Sequence, residues 1–127
     1  MPFPSTGAIK LSDIKKSVYV SDSSYFLDKL STKSKENASA AYSVRLVNSS
    51  YSGPSINVRR SSDNATQDFY ANASGNLGTS INGTGTTFSS WITNSTAFVD
   101  TWYDQSGFSK NLVQLVSSNQ PRIVDAG

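Results

Sequence analysis

The chain has 127 residues, 11 Lys and Arg against 9 Asp and Glu, and neither cysteine nor histidine. That length supports one domain with one core, and a formal charge of +2 is too small for a surface that binds through many phosphates. Disulfides, thiolate or histidine metal sites, and Ser–His–Asp or Cys–His catalysis are excluded outright.

Residues 1–8 carry two prolines and a glycine and read as an extended arm. Ile9 to Ile14 follows, where Ser12 is placed to cap a short helix with Leu11 before the cap and Asp13 in the first turn. Phe3, Ile9, Leu11 and Ile14 are the arm's apolar anchors, available to dock on a neighbour. Ser24 to Leu30 reads as a second short helix, capped within Ser21 to Ser24, and Thr32 to Ser39 as a linker without apolar period. The start has no basic region followed by a long apolar core. No run approaches the roughly 18 apolar residues of a membrane span.

The chain therefore divides into an arm with two short helices and linker, 1–39, and a β domain, 40–127. In the second part Tyr42, Val44 and Leu46 alternate with Ser43, Arg45 and Val47, as in a half-buried strand. A turn at 49–54 leads to a second strand through Ile56 and Val58, broken by Ser61-Ser62-Asp63-Asn64, and Gln67 to Tyr70 supplies a third. Residues 71–87 are rich in Asn, Gly, Ser and Thr and read as a long loop, with room for a brief strand. Phe88 to Ile92, Ala97 to Tyr103, Asn111 to Val116 and Pro121 to Val124 are further strand-like segments. The chain holds 25 Ser, 10 Thr and 10 Asn, a poor mixture for helices but suited to turns and β surfaces. Many short strands between turn signals imply a mostly β sandwich or jelly roll. Ending straight after a strand-like segment, it reads as an incomplete one.

Three clusters invite a chemical reading. Trp102-Tyr103-Asp104-Gln105-Ser106-Gly107 combines two aromatics, a carboxylate, an amide and a glycine. It reads either as a strand end with Asp104 accepting turn N–H bonds, or as a sugar or peptide platform with Asn64 nearby. Arg59 and Arg60, pointing to opposite faces of a strand, are placed to pin turns through Asp63, Asp68 or Asp104. Oxygen ligands for a hard cation exist in Asp63, Asn64 and Asp68, but their spacing matches no calcium loop, so no metal or other cofactor is expected. Asp100 and Asp104, four apart on a strand, stand about 13 Å apart by rise, too far for either glycosidase geometry. Asn-X-Ser/Thr triplets begin at Asn37, Asn48, Asn64, Asn72, Asn82 and Asn94, a modest excess in so Ser- and Thr-rich a chain.

Tyr42-Ser43-Val44-Arg45-Leu46, Tyr51-Ser52-Gly53-Pro54, Val58 to Asn64 and Trp102 to Gly107, in that order, resemble the opening part of the concanavalin-like jelly-roll domain of fungal alpha-L-arabinofuranosidase B. Asn119 to Val124 fits the same scheme in a version associated with large DNA viruses and bacteriophages. Ser5 to Ile14 resembles the start of virion and tail proteins carrying such domains. The resemblance implies a virion structural protein, a minor capsid or tail or fibre component, docked by its arm on major capsid or other virion proteins. It implies no enzyme, because the family's catalytic acids lie later in the domain than this chain reaches. A carbohydrate-binding module for host-surface glycans is the alternative, and a fragment of an arabinofuranosidase-like glycoside hydrolase a remoter one.

Overall fold

A computed structural model describes residues 25–126, apart from 32, 33, 35 and 73. The arm with Phe3, Ile9, Leu11 and Ile14, and the helix capped by Ser12, lie outside the described residues. The second expected helix is a single 3-10 turn, Phe26–Lys29, whose Tyr25 cap makes no side-chain hydrogen bond. It is held from outside instead. Leu27 is buried and its N–H donates to the Val47 carbonyl at 2.7 Å, while the Asp28 carboxylate accepts from the Ser49 N–H.

The remainder is mostly β, in two small sheets. β1 (Ile56–Arg60) runs antiparallel between β2 (Thr66–Phe69) and β5 (Ala97–Trp102). The far side of β5 is shared by β6 (Leu112–Val113), which pairs with Thr101 and Trp102, and β7 (Arg122–Val124), which pairs with Ala97 and Phe98. β3 (Thr79–Ile81) and β4 (Thr84–Thr87) form a separate hairpin. Its turn, Asn82-Gly83, puts Gly83 at φ +77°, a conformation that glycine adopts without steric cost.

Two expected strands are corrected. Phe88 to Ile92 begins with a short helix, α1 (Phe88–Trp91), because the Thr87 hydroxyl accepts from the Ser90 N–H and caps it. Helical spacing brings Phe88 and Trp91 to one side, where both meet Phe69 edge-on, at 5.1 Å and 5.4 Å between ring centroids. The segment from Tyr42 to Val47 joins no sheet among the described residues; its backbone groups are bonded by the Gln105 side chain and by backbone groups of Leu27 and Gly75.

Register decides which residues form the core. Val58 pairs with Val99 and Asn57 with Thr101, so Asp100 is an extra residue, a bulge in β5. After the bulge the faces exchange. Val99 and Trp102 thus both stand on the apolar side, Trp102 opposite Ile56, although their spacing alone would separate them. The core is Ile56, Val58, Phe69, Ala97 and Val99, covered by Val44, Leu77, Phe88, Trp91, Ile92 and Trp102 among others. The other face is polar, with Asn57, Arg59, Asp68 and Thr101 across the three main strands. Phe69 is fully buried at the meeting point of sheet and helix. Phe69→Ala should therefore cost about 3–5 kcal/mol in urea unfolding. A loss below about 1 kcal/mol would mean that α1 does not pack on the sheet.

Candidate functional site

Asp104 and Gln105, sequence candidates for ligand contact, turn inward and are 3% and 0% exposed. Asp104 Oδ1 accepts from the N–H groups of Ala41 and Ser106, each at 2.8 Å. Its Oδ2 accepts from the Ser106 hydroxyl and the Lys110 N–H. Burial pushes the Asp104 carboxyl pKa up, but these donors outweigh it and hold it below the usual carboxylate value. The Gln105 amide is equally committed. Its Oε1 accepts from the Val47 N–H at 2.9 Å, and its Nε2 donates to the carbonyls of Ser43 and Arg45 at 3.0 and 2.9 Å. Its own backbone N–H donates to the Ala41 carbonyl, and its carbonyl accepts from the Asn48 amide. The two residues thus stand where a neighbouring strand would stand for 41–48. In Gln105→Ala the Val47 N–H and two carbonyls lose their partners, and at about 1–3 kcal/mol per stranded group the variant should lose about 3 kcal/mol or more. Hydrogen exchange at Val47 should accelerate in step. An unchanged melt and unchanged exchange would contradict the assignment.

Trp102 packs against the core, and its Nε1 is buried without a hydrogen-bond partner among the described residues. Beside it lies a shallow apolar recess of about 140 Å³ lined by Val99, Trp102, Leu112, Val113 and Pro121, with Asp100 and Gln114 at its polar side. Tyr103 stays half-buried and donates from its hydroxyl to Asp68 Oδ1 at 2.8 Å; the Asn57 amide donates to the same oxygen at 2.7 Å. Burial, and then the bond to Asp68, push the Tyr103 hydroxyl pKa up from 10.0. A raised folded-state pKa means that the unfolded chain releases this proton first. The associated stability is complete below about pH 10 and is lost as pH rises further. Tyr103→Phe should therefore lose less stability than the wild type between about pH 8 and about pH 10.5 in matched urea melts. Equal losses would show that this hydroxyl is not the group that titrates.

Arg59 and Arg60 separate as strand neighbours do. Arg60 forms a two-bond fork with Asp63, at 2.9 and 2.7 Å, donates to the Trp91 carbonyl and lies over the Trp91 ring. The side-chain bond from Arg60, followed by the Ala65 N–H, lowers the Asp63 carboxyl pKa to about 2. The pair stands in solvent, so its role is the geometry of the 61–65 turn. Arg59 lies over Phe98 and donates to Asn64 Oδ1 and to Gln120 Oε1. Asn64 is exposed at φ +58°, a turn residue whose side-chain oxygen is taken by Arg59. Of the three carboxylates weighed as an arginine's partner, Asp63 is the one that Arg60 reaches, whereas Asp68 and Asp104 are bonded by Tyr103 and Asn57 and by loop N–H groups. Gln120 had no sequence signal, yet it is buried and ties Arg59 to Asp100 Oδ2 and the Gln114 carbonyl.

The candidates therefore do not form one pocket. Asp104 and Gln105 lie inside, Trp102 stands on the apolar side, Tyr103 and Asp68 share the polar network with Asn57, and Asn64 lies at the far turn. A larger cleft opens elsewhere, about 360 Å³, between the 49–53 turn, Tyr70 to Asn72 and the Asn82-Gly83 hairpin. Sequence reasoning missed it because its residues follow no period. Among the described residues no group of three His, Cys, Asp or Glu side chains is placed to hold a metal.

Residues 30–125 match the family described as alpha-L-arabinofuranosidase B, catalytic. Two solved structures are similar in part: an arabinofuranosidase complexed with arabinofuranosyl-alpha-1,2-xylobiose, and a mutant of a GH54 α-L-arabinofuranosidase soaked with 4-nitrophenyl α-L-arabinofuranoside. Each is 28% identical to this chain, covering 59% of it and 15% of the solved chain, with a TM-score of 0.46. The chain thus spans about 15% of the length of those proteins. Comparison with curated proteins gave no match. The family match overturns the virion reading: the version of the domain implied by Asn119 to Val124 and Ser5 to Ile14, the capsid or tail role, the virion location and the capsid partners. It also overturns the expectation of no enzyme, because the matching family is a catalytic one. Short stretches such as Ser5 to Ile14 are rich in small and polar residues common to many chain starts, and carry less information than a match across 30–125.

Proposed function

The chain belongs to the alpha-L-arabinofuranosidase B catalytic family, and from that membership we propose that it works within a glycoside hydrolase that removes arabinofuranosyl units from a neutral glycan. The observation that carries this reading is the family match over residues 30–125. In finer detail, the five-stranded sheet is one layer of a concanavalin-like jelly roll, and the sequence divides at 39/40 into a leading segment and that sandwich. Trp102 and Tyr103 remain the candidates for glycan contact. Asp104 and Gln105 act as positioning residues, holding 41–48 against the strand end that carries both aromatics. Arg59, Arg60 and Asp63 shape the turn that presents Asn64.

Hydrolysis of a glycosidic bond needs two carboxyl groups, about 5–5.5 Å apart for retention or about 6.5–9.5 Å for inversion. Asp63 and Asp104 are committed to Arg60 and to loop N–H groups. Asp68 and Asp100 sit on β2 and β5 with β1 between them, so their backbones stand about 10 Å apart. Asp68 is bonded toward β1, and Asp100 toward Gln120 on the opposite side. These carboxylates serve as hydrogen-bond acceptors that organise the polar face. The full-length protein carrying this sequence should release 4-nitrophenolate from 4-nitrophenyl α-L-arabinofuranoside and not from the matching β-D-xylopyranoside. Folded protein that releases none from the arabinofuranoside, or cleaves both alike, would overturn the reading.

A further inference from the structure

The larger cleft has a composition suited to one class of ligand. Three rings, Tyr25, Tyr51 and Tyr70, share its wall with Ser52, Asn72 and Asn82, and among the described residues no charged side chain lines it. At about 360 Å³ it falls at the small end of sites for small molecules, about 300–1,000 Å³. Tyrosine supplies a large, stiff, amphipathic contact surface at low entropic cost, while Ser and Asn supply adaptable hydrogen bonds. With no charged side chain in its wall among the described residues, the cleft offers no ion pair to a phosphate, carboxylate or ammonium group.

The walls are held before any ligand arrives. The Tyr51 hydroxyl donates to the Pro54 carbonyl at 2.8 Å. Its ring lies so close to Gly53 that a Cβ there would stand 2.5 Å from the hydroxyl oxygen, so a larger residue at 53 would displace the ring. Asn72 Oδ1 accepts from the N–H groups of Ser74 and Asn76, which fixes that rim and leaves the amide nitrogen as the group able to donate. Tyr70 is tied to β3 through its N–H and the Thr79 carbonyl, and the Asn82-Gly83 turn of the same hairpin closes the far side. A cleft whose walls are locked by the protein itself has a reduced ordering cost on binding.

We propose that this cleft binds a neutral saccharide of one or two sugar rings, with a ring face against the tyrosines and hydroxyls on Ser52, Asn72 and Asn82. The site is separate from the Trp102 recess. The choice of pentose-containing probes rests on the glycoside-hydrolase reading above; the cleft chemistry does not.

The test is a ¹H–¹⁵N titration of the full-length protein with arabinosyl-xylobiose, and separately with L-arabinose and glucose 6-phosphate. Saturable shifts should centre on residues 49–53, 70–72 and 82–83, with none of comparable affinity for the phosphorylated sugar. Tyr70→Ala should weaken binding by about tenfold or more. Asn82→Ala, at an exposed hairpin tip outside the core, should weaken it about threefold. No saturable shift up to about 10 mM probe, shifts centred on 99–103, or wild-type affinity in a folded variant would overturn the proposal. Hydrolysis of the arabinofuranoside is measured in parallel. Binding without hydrolysis would sink the enzyme reading and leave the cleft standing, whereas hydrolysis without cleft binding would do the reverse.

Discussion

The architecture depends on a buried pair of side chains, Asp104 and Gln105, replacing a strand. Eight residues, 41–48, cross the molecule without a ladder, and a buried backbone group without a partner costs as much as a lost hydrogen bond. The Asp104 carboxylate takes the Ala41 N–H, and the Gln105 amide takes the Val47 N–H and two carbonyls. Glutamine suits the task because its amide accepts and donates at once. The consequence reaches further. Val47 in turn accepts from Leu27, and Leu46 donates to the Gly75 carbonyl, so the 3-10 turn and the 72–76 turn are ordered on a segment that Gln105 holds.

A second constraint is the bulge at Asp100. By adding one residue to β5 it keeps Ala97 and Val99 on the apolar side at one end and Trp102 there at the other. It also leaves the Asp100 carboxylate facing Thr101 and Gln120, where both of its oxygens accept hydrogen bonds. The sheet thus gains a polar face organised by side-chain networks and an apolar face closed by α1. Since α1 is a single turn, it depends on the Thr87 cap and on the contact of its two rings with Phe69.

These constraints bear on function through placement. A binding site needs rigid walls with adaptable polar groups, and the loops around 49–53 and 82–83 have both without a disulfide. The hub at 104–105 and the cleft are linked through the same chain segment, since 46–49 forms part of both. Belonging to a catalytic arabinofuranosidase family gives these loops a chemical context that a virion role would not.

From its sequence alone the chain determined that it is mostly β, and it placed β1, β2 and β5 to within a residue or two, because alternation of apolar and polar residues is a local signal of one buried face. It also marked Trp102 to Gly107 as a place where the fold is organised, and Asp104 as an acceptor of turn N–H groups. The hairpin of Thr79–Ile81 and Thr84–Thr87 falls in the stretch 71–87, which reads as a long loop with room for a brief strand because it lacks an apolar face. Tertiary structure decided the rest. Tyr42 to Val47 has the alternation of a strand, yet among the described residues no strand lies beside it, and a side chain about 60 residues away takes its hydrogen bonds. Phe88 to Ile92 has the aromatic content of a strand, yet a capping hydroxyl and the position of Phe69 made it helical. The cleft of tyrosines was invisible because it joins Tyr25, Tyr51 and Tyr70, whose nearness follows from hairpin and turn geometry and from no period in the chain.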